Sequence, residues 1–322
     1  MSQNGHAEPE FDVVVTERCD EAEDVVVLRL ARPDGAGMPE WQPGAHIDLV
    51  LDCGLVRQYS LTGSASSGES SWEIAVLREH HGRGGSQWIF DSLQAASKVR
   101  VRGPRNHFAL EPAPNYLFVA GGIGITPIRA MVAAAERAGI PWRLLYGGRR
   151  ASSMAYVDEL VSNYGDKVLI RPEDQFGLLD LAGFVTAAPP GTKLYCCGPE
   201  PLLAAAERQC TTEVACDLRI ERFSARPAEP DIVDRECEVE LAQTGVTLTV
   251  EPGVSILAAA EEAGAFVTSS CEEGTCGSCE TAVLAGIPEH RDSVLNAQQR
   301  AAGDTMMICV SRCAGGKLVL DL

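Results

Sequence analysis

Four cysteines carry the most specific chemistry in this chain. Cys271, Cys276 and Cys279 stand in the segment CEEGTCGSC, and Cys309 follows thirty positions after the third of them, in MMICVS. A C-x4-C-x2-C run with a distant fourth cysteine has the spacing that wraps a 2Fe-2S cluster: three thiolates come from one loop folded around two irons, and the fourth, Cys309, is expected to close the site from a strand. Gly274 and Gly277 let the loop bend and aim backbone N–H groups at the sulfurs, which tunes a reduction potential. Zinc is the competing reading. Zinc loops favour paired C-x2-C knuckles, and only one such pair occurs here. Of the twelve cysteines in the chain, Cys313, Cys19, Cys53, Cys210, Cys216 and Cys237 have no partner spacing and read as small, reduced core side chains.

Five other segments suit nucleotides. In Arg57-Gln58-Tyr59-Ser60-Leu61 an arginine can bind phosphate, an aromatic can stack on a ring and a hydroxyl can hydrogen-bond a heterocycle edge. Strand alternation puts Arg57, Tyr59 and Leu61 on one face and Ser60 on the other. His81-Gly82-Arg83-Gly84-Gly85-Ser86 feeds a helix predicted over 87–93, and glycines at a helix N-terminus expose unpaired N–H groups to an anion; a plain strand-to-helix loop is the alternative. Gly121-Gly122-Ile123-Gly124-Ile125-Thr126-Pro127 is not a GxGxxG fingerprint, yet it makes a second helix start of the same kind. Tyr195-Cys196-Cys197-Gly198-Pro199 ends a strand, where ligands of parallel sheets gather, although a buried cysteine is a fair alternative for Cys197. Gly147-Gly148-Arg149-Arg150 ends another strand without an acidic residue for a ribose hydroxyl, and its arginines could meet a 2′-phosphate.

Three kinds of element must position these residues, and 322 residues are enough for two or three domains. The first hundred positions read as short strands broken by turns: 13–15, 25–30, 46–51, 55–62 and 72–77. From Tyr116 strands (116–120, 142–146, 167–170, 193–197) alternate with helices (128–138, 152–164, 199–210), the rhythm of a parallel sheet. FSARPAEP, at 223–230, reads as a linker. A hairpin (236–241, 246–250) and a helix (255–263) then precede the cysteine loop. Composition is that of an ordinary globular chain, with 45% hydrophobic and 22% charged residues. A net charge of −18 argues against nucleic acid as a partner. Residues 234–322 hold 14 acidic and 5 basic residues, so half of that charge lies around the cysteines. No secretory leader or membrane span is apparent, and a cytoplasmic location is expected.

The order of segments resembles the phthalate dioxygenase reductase family along nearly the whole chain, and the last part resembles a plant-type ferredoxin domain. The resemblance implies a multidomain fold: an antiparallel β-barrel flavin domain over 1–110, an α/β parallel-sheet nicotinamide domain over 111–226, and an α+β β-grasp ferredoxin domain over 234–322. It implies FMN rather than FAD, with Arg57, Gly84, Gly85 and Ser86 at the phosphate, Tyr59 against the isoalloxazine and Ser60 near its reactive edge. NADH, with NADPH as the alternative, would meet Gly121, Gly122, Gly124, Thr126, Pro127, Arg149, Cys197 and Gly198, and Phe223 would cover the flavin. Cys271, Cys276, Cys279 and Cys309 would ligate the 2Fe-2S cluster. The implied activity is an oxygenase reductase, acting as a monomer and passing electrons to a Rieske-type oxygenase docked at the acidic ferredoxin domain. Alternatives are a haem-thiolate monooxygenase as acceptor, or a redox-sensing module, which would not need the complete nicotinamide segments.

Overall fold

Alternating apolar residues near the N-terminus become six antiparallel strands: β1 (Glu10–Ala22), β2 (Val25–Ala31), β3 (His46–Val50), β4 (Val56–Ser60), β5 (Ser71–Leu77) and β6 (Lys98–Arg105). Their order is β4-β3-β6-β1-β2-β5. A Leu61–Ile74 bridge and a Thr62 N–H donated to the Glu73 carbonyl at 2.9 Å join the two edges, so the sheet closes as a barrel. Val13, Val15, Leu28, Leu30, Ile47, Leu49, Ile74 and Val101 fill it, each fully buried and worth about 2 kcal/mol. A short helix, α1 (Gly85–Ser92), buries Ile89 in the same core. The computed structural model describes residues 9–63, 65, 70–186, 188–212, 217–226 and 234–322. Cys216 and half of the predicted linker lie outside them.

The second sheet is wholly parallel. In chain order it runs β7 (Asn115–Gly121), α2 (Ile125–Arg137), β8 (Trp142–Gly148), α3 (Val157–Tyr164), β9 (Val168–Pro172), α4 (Glu173–Phe176), α5 (Leu181–Thr186), β10 (Thr192–Cys197), α6 (Glu200–Thr212) and β11 (Asp217–Glu221). The spatial order β11-β10-β7-β8-β9 reverses direction between β7 and β10, which opens a ligand crevice at the C-terminal ends of those two strands. Apolar clusters cover both faces, as a parallel sheet requires. One of them includes Val25, Val27 and Ala75 of the barrel beside Phe118 and Tyr146, so barrel and parallel sheet form one compact unit, Met1–Glu221. α3 starts five residues later than its predicted beginning at 152, because Tyr156 is held in the left-handed region at φ +62° just before it.

The second unit, Arg222–Leu322, is built on β12 (Cys237–Leu241), β13 (Val246–Val250), α7 (Ile256–Glu262), β14 (Glu280–Glu289), α8 (Ala297–Ala302), β15 (Thr305–Met307) and β16 (Arg312–Leu320). The order β13-β12-β16-β14-β15, with β12 and β16 parallel and the other pairs antiparallel, is a β-grasp sheet. α7 lays Ile256, Leu257 and Ala260 on it, and the Ser255 side chain caps this helix by accepting the Ala258 N–H at 3.0 Å. Arg312, buried at the start of β16, donates to the carbonyls of Arg235, Val250, Glu251 and Val254 and ties the sheet to its first hairpin. No helix among the described residues is long and apolar enough to cross a membrane.

Three of the remaining cysteines depart from the expected buried, reduced state. Cys19 and Cys53 are exposed, and Cys210 is disulfide-bonded. Cys19 follows from β1 turning this residue away from the barrel core, and Cys53 sits in the turn between β3 and β4. Cys237 is buried as expected, and Cys313 is half-buried against the second unit's core.

Candidate functional site

β4 carries the RQYSL segment and α1 the glycine segment, and the barrel brings them together. The Arg57 guanidinium donates to the Arg83 carbonyl at 2.9 Å and lies over the start of α1. A Cβ built on Gly85 would come within 2.5 Å of the Arg57 side chain, so only glycine lets the arginine approach the helix N-terminus this closely. No side chain caps that end, whose N–H groups remain available to an anion. Ser86 is oriented by accepting the Glu79 N–H at 3.0 Å.

Tyr59 is half-buried against the barrel core, and burial pushes its phenol well above the ordinary value. Ser60 points to the other face of β4, as alternation predicts, yet it is buried too. Its Oγ has no hydrogen-bond partner among the described residues, and a buried hydroxyl in that state fits a contact with a bound heterocycle. Beside it on β3 and β6 lies a polar cluster that the sequence reading missed. Asp48, fully buried, accepts from Gln58 at 2.9 Å and from Arg105, and His46 lies directly across from Ser60.

The crevice between β7 and β10 gathers the next group. Gly121 ends β7, Gly122 to Gly124 form a single 3-10 turn, and α2 begins at once. A Cβ on Gly124 would lie 2.3 Å from the Cys197 carbonyl oxygen, so this glycine lets the two loops touch backbone to backbone. Thr126 is buried and donates to the Ile123 carbonyl at 2.9 Å, and Pro127 occupies the first turn of α2, where a missing N–H costs nothing. Cys197 ends β10 with Gly198 after it, and Arg149 is exposed just beyond β8. Opposite Cys197 in the strand register stands Glu221, whose role the sequence did not suggest. The Cys197 thiol lies 3.9 Å from Glu221 Oε2, and burial pushes the carboxyl up to about 8. Burial, aided by Glu221, also holds the thiol well above its usual value.

In the second unit the thiols of the four motif cysteines converge. Cys271 contacts Cys276 and Cys309, and Cys279 contacts Cys309. All four are buried. The N–H groups of Glu273 and Thr275 donate to Cys271 Sγ at 3.4 Å each, as the loop spacing predicts. Gly274 turns the loop at φ +69°, where an added Cβ would meet Val310 and the Asp292 backbone. Asp292, another residue without a sequence signal, is fully buried and accepts the N–H groups of Val294 and Leu295, while Ser293 N–H donates to the Gly274 carbonyl at 2.7 Å. Three of the thiols come from one loop and the fourth, Cys309, from the turn after β15 rather than from a strand as expected, an arrangement that suits a two-iron cluster. Phe223 is 45% exposed at the start of the second unit.

Comparison with known proteins bears directly on this arrangement. Residues 239–314 match the 2Fe-2S iron-sulfur cluster binding domain family. Over 303 residues, 94% of each chain, the sequence is 44% identical to the phenoxybenzoate dioxygenase subunit beta of Ectopseudomonas oleovorans. The solved phthalate dioxygenase reductase, described as a modular structure for electron transfer from pyridine nucleotides to 2Fe-2S, is similar at a TM-score of 0.70 and 32% identity, over 97% of this chain and 98% of that one. An intact type IV self-sufficient cytochrome P450 monooxygenase is similar at a TM-score of 0.90 and 39% identity, over 100% of this chain and 43% of that one.

Barrel, parallel nucleotide sheet and ferredoxin-type sheet together define a flavin and iron-sulfur oxidoreductase dependent on NAD(P)H. The chain belongs to the phthalate dioxygenase reductase family, whose members include reductase components of oxygenase systems.

Proposed function

We propose that the protein takes hydride from NADH onto FMN and passes single electrons through a 2Fe-2S cluster to a Rieske-type oxygenase, an aromatic hydroxylase or demethylase. Bound flavin supplies the exchange of one two-electron transfer for two one-electron transfers, which a nicotinamide and an iron-sulfur cluster cannot make directly. The chain's own residues hold and orient. Arg57 with the N–H groups at Gly84, Gly85 and Ser86 takes the flavin phosphate, Tyr59 lies against the isoalloxazine, and the Ser60 hydroxyl donates at its reactive edge. Gly121, Gly124 and Gly198 let the two loops close on each other, and Gly122 leaves room for the dinucleotide beside Thr126, Pro127 and Cys197, with Arg149 at the adenosine end. Cys271, Cys276, Cys279 and Cys309 ligate the irons. The observation that carries the reading is the mutual contact of these four buried thiols in a chain that also holds a nucleotide crevice.

The acidic second unit would dock the acceptor transiently through complementary charge. A haem-thiolate acceptor is the second reading, favoured by the similarity to a P450 monooxygenase chain. Chromatography of the released flavin, iron and sulfide analysis, and NADH-driven reduction of cytochrome c by purified protein test the proposal. FMN, two irons per chain and turnover with NADH are expected; FAD or a preference for NADPH would revise the cofactors, and absence of turnover would leave a redox sensor.

A further inference from the structure

We infer that Arg129 is a positioning residue for hydride transfer, because it ties the exit of the RQYSL strand to the helix that starts at the GGIGITP loop. This rests on reading the first unit as paired flavin and nicotinamide half-sites. Arg129 lies on α2, one turn after Thr126 on the same face. Its guanidinium donates at 2.7 Å to the carbonyl of Thr62, two residues beyond Ser60, and at 2.7 Å to Glu73 of β5. The fork also engages both oxygens of Glu159 on α3, at 3.0 and 2.9 Å. The barrel strand, the helix of the crevice and the next helix of the parallel sheet therefore share one planar cation. Lysine cannot reproduce those directions.

The surroundings lock this contact. Tyr156 lies under the guanidinium, with 4.3 Å from the cation to the ring centre, and its hydroxyl is 3.3 Å from the Thr62 hydroxyl, which itself donates to Glu73 at 3.0 Å. Thr62 is 1% exposed, so its carbonyl depends on this arginine rather than on water. Beside the bridge lies a cavity of about 130 Å³ lined by Glu17, Glu21, Glu73 and Glu159, with Arg29 and Arg129 as its cations. Without Arg129, Glu73 and Glu159 would face each other across the seam with less opposing charge, and the strand end would separate from α2. The barrel would stay attached elsewhere, because Glu23 N–H donates to the Ser152 carbonyl at 2.8 Å and Glu21 accepts the Tyr156 N–H at 2.8 Å. Hydride transfer tolerates little misplacement, since an error of about 1 Å can cost about a hundredfold in rate.

Anaerobic stopped-flow reduction of the holoprotein flavin by NADH, in wild type, Arg129→Met and Arg129→Lys, tests the inference. Two further readouts are the long-wavelength charge-transfer absorbance of nicotinamide stacked on flavin and the flavin dissociation constant from fluorescence quenching. Arg129→Met is expected to slow flavin reduction by about tenfold or more and to weaken the charge-transfer band, with flavin affinity within about twofold of wild type. Arg129→Lys, which retains charge and is the variant to read should the methionine form not fold, is expected to stay well below the wild-type rate. Wild-type rate and band in Arg129→Lys would overturn the inference, as would losses that vanish once flavin is saturating. A wild-type protein that NADH does not reduce at all would overturn the reading of the half-sites themselves.

Discussion

Two residue-level consequences separate the electron path into its parts. Cys276 is buried in contact with Cys271. Replacing it, Cys276→Ser, is expected to abolish the cluster's visible absorption and cytochrome c reduction while leaving flavin reduction by NADH intact, since the flavin and crevice residues lie in the other unit. Glu221 makes a different prediction. Its folded carboxyl stays protonated up to about 8, against 4.5 for an ordinary one, so between those values the folded state holds a proton that the unfolded state has lost. Stability therefore falls as pH rises through that window. Glu221→Gln cannot ionise, and thermal melts from about pH 5 to about pH 8 should show its advantage over wild type growing with pH. An advantage that did not change with pH would mean that the carboxyl ionises normally in the fold.

At the scale of elements, the phosphate cradle proposed for the flavin rests on the approach of β4 and the start of α1 within the space of one methyl group. Gly85→Ala would press a Cβ into Arg57, and flavin affinity is expected to fall by about tenfold or more, measured by titrating the apoprotein. Much of this arrangement was legible in the sequence. The RQYSL strand, both glycine-rich helix starts, the hairpin of β12 and β13 and the helix after it all stand where pattern and spacing put them. β6, β14 and β16 were not legible, and the physical reasons differ. β6 alternates valine with charged residues but ends in Gly103-Pro104, which reads as a turn. β14 and β16 carry Gly286 with Pro288 and Gly315 with Gly316, poor strand formers that are held in the sheet by their neighbours. Asp48, Arg105, Glu221 and Asp292 were invisible for a related reason: their importance lies in partners distant in the chain, and no local spacing records it.

At the scale of the whole molecule, the first unit holds the nucleotide crevice and the second the four cysteines of the 2Fe-2S motif. On the proposed function, the acidic second unit meets its acceptor through complementary charge. Electron transfer to a basic acceptor such as cytochrome c should slow as ionic strength rises, because screening beyond about 10 Å sets in near 0.1 M salt; a flat dependence would remove charge-guided docking. The most direct test of the proposed electron relay is an anaerobic titration with NADH followed by absorbance and by paramagnetic resonance. Two electrons on the flavin and one on the cluster set a capacity of three per chain, about one and a half equivalents of NADH. The account predicts that both centres are reduced by NADH alone within that stoichiometry, with the signal of a reduced 2Fe-2S cluster appearing. A flavin that bleaches while the cluster stays oxidised, with NADH in excess, would contradict it.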